Sequence, residues 1–286
     1  MPEALPRAIL EPLVRAALLE DIGRGNDVTT DAILSAGVVA TGRIVARKPG
    51  VVAGLDLARL AFTLLDAGAS FDASVSDGER IEARAPAALV RCEARALLTA
   101  ERTALNFLCR LSGIATATRM LADLAVGTKA RIVDTRKTTP GLRVLERYAV
   151  RCGGGQNHRF GLDDGILIKD NHLALAGSMR SAVQAVRTRC GHMTKIEIEV
   201  DTIEQLREAL ALQTDAVLLD NMPPHRIREA VALANGRVLL ESSGSVTPEN
   251  VAEIASTGVD LISSGWITHS APALDFGLDL EGAARE

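Results

Sequence analysis

After residue 130 the chain settles into short apolar runs separated by helical stretches, and that rhythm restricts the fold more than any other feature. The runs are 131–134 (RIVD), 165–169 (GILIK), 195–201 (KIEIEVD), 216–220 (AVLLD), 237–242 (RVLLES) and 261–264 (LISS). Helical patterns at 178–190, 202–212, 224–234 and 248–256 separate most of them. Short buried strands alternating with helices build a parallel sheet. The reading is a β/α barrel, closed or nearly closed, with six strands instead of the usual eight. A doubly wound open sheet is the alternative.

The first third has another grammar. Residues 8–20 place Ile9, Leu10, Leu13, Leu18 and Leu19 at helical spacing, and the polar DIGRGNDVTTDAI that follows ends the helix. Extended candidates follow at 41–47, 50–53, 71–75 and 88–93, with a helical run at 57–66 among them. This is a small α+β unit. The apolar stripe of 94–126 predicts one long helix, with a break expected at Gly113.

Nearly every later run ends in reactive residues: DTRK, IKDNH, EVD, LDNM, ESSGS and SSG. Apolar packing explains the runs but not their repeated polar ends. In parallel β/α folds ligands bind beyond the carboxyl ends of the strands. Charge is divided there too. Residues 131–172 hold eight Lys/Arg against five Asp/Glu, whereas 195–286 hold six against sixteen. Arginine forks grip carboxylate or phosphate at two points, and lysine adds a point charge. Asp134-Thr-Arg136-Lys137, Asn157-His158-Arg159 and Lys169 therefore read as an anion pocket. Arg143, Arg147 and Arg151 read as the solvated face of a helix. Opposite stand Glu199, Asp201 and Asp220, whose mutual repulsion calls for a facing lysine or a divalent cation. Oxygen donors without a His/Cys cluster favour Mg²⁺.

Other classes are excluded. The chain is acidic overall, at net charge −4, with one Tyr and one Trp. It offers neither charge attraction to a phosphate backbone nor rings for stacking bases. The N-terminus lacks the apolar block of a signal peptide, and no run is long enough to span a bilayer, so a cytoplasmic protein is expected. The four cysteines show no metal spacing and read as reduced thiols. Gly153-Gly154-Gly155 precedes no Lys-Ser/Thr, which rules out a P-loop, and no GxSxG occurs. A Cys152 thiol nucleophile is the remaining covalent option. Ser243-Gly244 and Ser264-Gly265 could offer backbone N–H groups to a phosphate.

The block DTRKTTPGLRVLERYAVRCGGGQNHRFGLDDGILIKDNH (134–172) resembles nicotinate-nucleotide pyrophosphorylase (carboxylating), the quinolinate phosphoribosyltransferase family. LLEDIGRGNDVTT (18–30), ERTALNFLCRLSGIAT (101–116), EIEVDT (197–202), LLDNM (218–222), ESSGSV (241–246) and ISSGWITHSAPALDFGLDL (262–280) agree in order. The resemblance implies an N-terminal α/β sandwich over 1–115, joined by 270–286, and an incomplete, about six-stranded parallel β/α barrel over 116–269. It implies transfer of phosphoribose from phosphoribosyl pyrophosphate to quinolinate, with Mg²⁺ and loss of CO₂, in NAD biosynthesis. Arg136, His158, Arg159 and Lys169 match the quinolinate-binding set, and Arg102 matches an arginine supplied by the partner in a homodimer or an assembly of dimers. Lys137 matches a lysine facing pyrophosphate, and Glu199 and Asp220 match carboxylates serving ribose and metal. Ser243, Gly244, Ser264 and Gly265 match the loops holding the 5′-phosphate. SSGW at 263–266 departs from the smaller, more apolar family versions, and no role passes to Trp266 or Cys109. The rival readings are a molybdenum-transport relative of the same fold and a non-enzymatic anion-binding protein.

Overall fold

A computed structural model describes residues 3–281. In chain order the elements begin with α1 (Arg7–Ile22), α2 (Val28–Ile33), β1 (Val39–Ala46), β2 (Gly50–Val51) and α3 (Leu55–Thr63). Then come β3 (Ser70–Ala73), β4 (Arg80–Ile81), β5 (Pro86–Glu93), α4 (Ala94–Leu124), β6 (Arg131–Val133) and α5 (Arg143–Cys152). The next are β7 (Ile166–Ile168), α6 (Asp170–Ala176), α7 (Met179–Arg189), β8 (Ile196–Val200), α8 (Ile203–Ala211) and β9 (Ala216–Asp220). The last are α9 (Pro224–Ala234), β10 (Leu239–Ser243), α10 (Val251–Ala255), β11 (Leu261–Ser263), α11 (Trp266–His269) and β12 (Phe276–Leu280). Among the described residues no helix is long and apolar enough to cross a membrane.

The chain forms two compact units. The first comprises Met1–Ala117, Val144–Gly153 and Ala271–Glu286, and the second Thr118–Arg143 and Gly154–Ser270. The first contains an antiparallel sheet ordered β12-β1-β5-β3, with helices making it an α/β sandwich. β12 pairs along β1 from Gly42↔Leu280 to Ala46↔Phe276, so residues from beyond the barrel segment return to this sheet. The final residues of the expected 270–286 contribution, 282–286, lie outside the described residues. The sequence boundaries also left 144–153 with the barrel, whereas most of α5 packs in the first unit.

That placement corrects the reading of α5 as a solvated charged face. Arg147 is 7% exposed and Glu146 is wholly buried. Arg110 meets Glu146 through Nη2 at 2.8 Å, and a carboxylate out of water requires such a partner. A second correction falls on polar 21–33. It contains the short helix α2, started by Asp27, whose carboxylate accepts from the Thr30 amide at 3.0 Å.

In the second unit the strand order is β6-β11-β10-β9-β8-β7, parallel throughout. A doubly wound sheet reverses its winding at the middle. Here β7 to β11 follow in order and the earliest strand pairs with the last, which is barrel winding. Among the described residues β6 and β7 do not pair with each other; on its free side β6 only bridges the loop residue Gln156 through Val133, so the barrel is incomplete.

Helix α4 runs unbroken through Gly113. A Cβ added there would stand 2.9 Å from Ala273 Cα and closer still to the Pro272 carbonyl oxygen. Glycine serves close approach here, not helix breaking. Gly113→Ala gains about 1 kcal/mol in helix propensity but forces a backbone overlap that typically costs about 1–3 kcal/mol. Overlap with backbone cannot be relieved by a rotamer change, so the variant should unfold at lower urea concentration than the parent. An unchanged or higher midpoint would refute this packing role.

Candidate active site

Period two decides what the parallel sheet presents on each face. Along β7 to β10 one parity holds Ile168, Ile198, Val200, Val217, Leu219 and Leu240, all buried. The other parity holds Glu197 and Glu199, Leu218 and Asp220, Glu241 and Ser243, with Leu167 and Lys169 on and just beyond β7. All of this second set except Glu197 line a cavity of about 550 Å³, as do Thr135, Arg136, Lys137, His158 and Arg159. Glu199, Leu218 and Glu241 stand level, and Asp220 and Ser243 stand level nearer the carboxyl ends.

The basic side rests on a buried acid. Asp134, wholly buried, accepts from Asn157 Nδ2 at 2.6 Å and from the His158 amide at 2.8 Å. It therefore pins the 157–159 loop against the end of β6. Arg159 is held by its Nη1, which donates to the Gly165 carbonyl at 2.9 Å. Burial, and after it the like charge of Arg136, lowers the pKa of the Arg159 guanidinium from its ordinary value. Arg136 makes no ion pair among the described residues. Arg143 donates through Nε to Thr138 Oγ1 at 3.0 Å and through Nη1 to the Phe160 carbonyl at 3.1 Å, joining the turns after β6 and around residue 160.

On the acidic side the facing lysine is present. Lys169 Nζ lies 2.6 Å from Glu199 Oε2. Asp220 accepts from Asn221 Nδ2 at 2.8 Å. Asp201 lies outside the cavity lining, and its amide donates to Gln205 Oε1 at the start of α8. The ends of β9 and β10 carry left-handed backbone at Asn221 (φ 49°), Gly244 (φ 107°) and Ser245 (φ 49°). A Cβ at Gly244 would overlap the Asn221 side chain, so a glycine is required there.

Two expected phosphate residues are not among those lining the cavity. Ser264 is 2% exposed and outside the lining. Its hydroxyl donates to the Val246 carbonyl at 2.9 Å and its amide to the Val133 carbonyl at 3.1 Å. It joins loops instead of facing the cavity. Gly265 is also outside the lining, and an added Cβ would come within 2.9 Å of Lys137 Cδ, so it makes room for that side chain. Arg102 is exposed on α4 in the first unit and is not a lining residue. Cys152 is buried, and burial with the nearby Asp77 charge pushes its thiol up to about 12, which removes the thiol-nucleophile option.

Sequence reasoning missed Glu197 and Glu241. His158 Nε2 lies 2.9 Å from Glu197 Oε2 and 3.6 Å from Glu241 Oε2. Both carboxylates are buried, at 8% and 1% exposure. Burial, reinforced by Glu197, pushes Glu241 up to about 7. For Glu197 the signal was available: KIEIEVD puts it on the face of Glu199, whereas Glu241 only closes the apolar run before it. Among the described residues these three form a group whose ligand atoms lie within 4.8 Å of one another.

Replacing Asp134 with Ala leaves two half-buried donors without their acceptor, a loss of about 1 kcal/mol each in stability. The 157–159 amides should then exchange with solvent faster than in the parent. Unchanged protection by hydrogen-exchange mass spectrometry would remove Asp134 from this supporting role.

Two family models match this chain: the quinolinate phosphoribosyl transferase N-terminal domain over residues 27–112 and its C-terminal domain over 114–279. The nicotinate-nucleotide pyrophosphorylase [carboxylating] of Mycobacterium leprae is 50% identical over 275 residues, covering 93% of this chain and 95% of that protein. A probable counterpart from Bacillus subtilis is 44% identical, covering 95% and 93%. The solved nicotinate-nucleotide pyrophosphorylase from Francisella tularensis superposes with a TM-score of 0.93 at 39% identity, covering 97% of this chain and 98% of that one.

Proposed function

The chain belongs to the quinolinate phosphoribosyl transferase family, and from that premise we propose how its cavity divides the labour of the reaction. The enzyme joins the phosphoribosyl group of phosphoribosyl pyrophosphate to quinolinate with loss of CO₂, in de novo NAD biosynthesis. The products are nicotinate mononucleotide, CO₂ and pyrophosphate. The molybdenum-transport and non-enzymatic readings give way, because relatives 38–50% identical are named for this activity.

The observation behind the division is the convergence of Arg136, Arg159 and Lys169 on one cavity with Glu199 and Asp220 across it. Quinolinate has two adjacent carboxylates, and holding both requires several cations together. Arg136, Arg159 and Lys169 take that task, with His158 beside them. Lys137 faces pyrophosphate. Loss of pyrophosphate leaves positive charge on the ribose, which the fixed carboxylates of Glu199 and Asp220 stabilise. Ser243, Gly244 and the left-handed Ser245 hold the 5′-phosphate through hydroxyl and amide groups. Ser264 and Gly265 support that loop and Lys137 from behind. Asp220 and Glu199 supply hard oxygen donors of the kind Mg²⁺ prefers, and they would hold it as it arrives with the pyrophosphate. When bound, the metal neutralises charge on the leaving group.

Four free cysteines, without a disulfide among the described residues, support work in a reducing compartment such as the cytoplasm. The active form we propose is a homodimer, or an assembly of such dimers, in which exposed Arg102 enters the cavity of a second copy. A two-fold pair completes two sites with one interface.

The direct test is formation of nicotinate mononucleotide from quinolinate and phosphoribosyl pyrophosphate, with nicotinate as control and chelator abolishing turnover. Arg136→Ala and Arg159→Ala should each raise the quinolinate KM at least about tenfold, since each removes a charged contact worth roughly 1.5–3 kcal/mol. Normal quinolinate kinetics in both variants would overturn the assignment. Sharing of the site is tested by mixing two inactive variants, Arg102→Ala and Lys169→Ala, under subunit exchange. Mixed dimers should regain one intact site of two; no recovery after demonstrated exchange would place Arg102 outside the partner's site.

A further inference from the structure

Decarboxylation creates a demand that the cation set does not meet. The bond from the ring to its 2-carboxylate breaks, CO₂ leaves, and the electron pair stays on the ring carbon until a proton replaces it. Each turnover therefore consumes one proton, whichever of the two steps comes first. Arg136, Arg159 and Lys169 must stay charged to hold the carboxylates, so the proton needs another source.

His158, Glu197 and Glu241 are arranged to store one. The Arg159 amide donates to His158 Nδ1 at 2.7 Å, which puts the imidazole proton on Nε2, facing Glu197 Oε2 at 2.9 Å. Burial opposes a second proton on the ring, while the Glu197 and Glu241 carboxylates favour it and raise the pKa of His158 on balance. That second proton would displace the Arg159 amide from Nδ1. Glu241 is the better holder: its Oε1 is buried and meets no hydrogen-bond partner among the described residues. An unsolvated carboxylate oxygen strongly favours the neutral acid. The groups facing Glu241 are His158, Glu197 from β8, Asp134 from the end of β6 and the Ser263 hydroxyl from β11, with apolar Leu218 level on β9. Two of these are further acids, and Arg159 faces His158 from the next position. His158 and Glu241 line the cavity, with His158 the more exposed, at 17% of its side chain against 2%.

Resting on the assigned reaction, we propose that Glu241, held as the neutral acid, delivers the proton that replaces the lost carboxylate and that His158 is the positioning residue beside it. The Glu241 proton passes to the ring carbon, where the electron pair left by CO₂ forms the new C–H bond, and water returns one proton to Glu241. Glu197 accepts from Nε2–H and fixes the ring's direction. Atoms and charge balance, with one proton taken from solvent per turnover.

The test uses full-length Glu241→Gln, with quinolinate affinity by calorimetry and single-turnover rates from pH 5.5 to 9. The amide keeps the shape but carries no acidic proton to deliver. Affinity should stay within about threefold, while the rate falls about ten- to a hundredfold, within the range of acid–base catalysis. In the parent the rate should fall as pH rises through about 7, where Glu241 loses its proton, and Glu241→Gln should lose that limb. Glu241→Asp should restore part of it. A parent rate flat across this range overturns the proposal even if the Gln variant fails to fold. So does a Gln variant with the parent's rate and profile, or one whose defect lies only in affinity. Stoichiometric Zn²⁺ binding by the parent that is lost in the Gln variant would identify a cation site and overturn it as well. A parent that forms no nicotinate mononucleotide overturns the assigned reaction itself, an outcome separate from the others.

Discussion

A parallel ladder leaves every strand's carboxyl end on one edge, and the second unit depends on that constraint. Six runs that differ in sequence deliver their terminal residues to the same side, and the two-residue period sorts them between cavity and packing faces. A slip of one residue in β8 would exchange Glu197 and Glu199 for Ile196, Ile198 and Val200. The apolar parity fixes the register, and the register fixes the site. Most barrels fill their interior with packed apolar layers. Here acids occupy part of that volume, and buried acids are tolerated only where cations or shared protons compensate them.

Electrostatics is therefore the organising force of the cavity, and the supporting groups matter as much as those facing substrate. Asp134 is wholly buried and spends its two oxygens on Asn157 and the His158 amide. That carboxylate keeps two cationic segments together although their charges repel. Lys169 and Glu199, 2.6 Å apart, bridge the basic and acidic halves. The exposed pairs Arg7–Glu11 and Arg226–Glu229 have similar distances but sit in water, where such pairs contribute about 0–1 kcal/mol.

Much of this was legible in the sequence. The apolar runs located all six parallel strands because strand burial on both faces leaves a direct hydrophobic signature. The polar ends located the cavity because the fold places them on one edge. What escaped depends on three-dimensional packing. Gly113 reads as a helix breaker until the close approach of Pro272 and Ala273 is known. Arg147 reads as solvated because a charge on an amphipathic helix usually is, yet it is 7% exposed. Ser264 matches a phosphate loop by motif, but its hydroxyl and amide are already engaged by the Val246 and Val133 carbonyls. Glu241 reads as one of the polar residues that close the run 237–242, and its burial beside His158 comes from packing.

The central claim is that this edge gathers cations to hold two adjacent carboxylates at once. Equilibrium binding of quinolinate and of nicotinate, which lacks one of the two, measures that directly and without turnover. One further charge-assisted contact of roughly 1.5–3 kcal/mol corresponds to about ten- to more than a hundredfold in affinity. Calorimetry should find quinolinate binding tighter by at least that lower factor, with the gap narrowing as salt screens the charges. Equal affinities for the two acids at low salt would contradict the account.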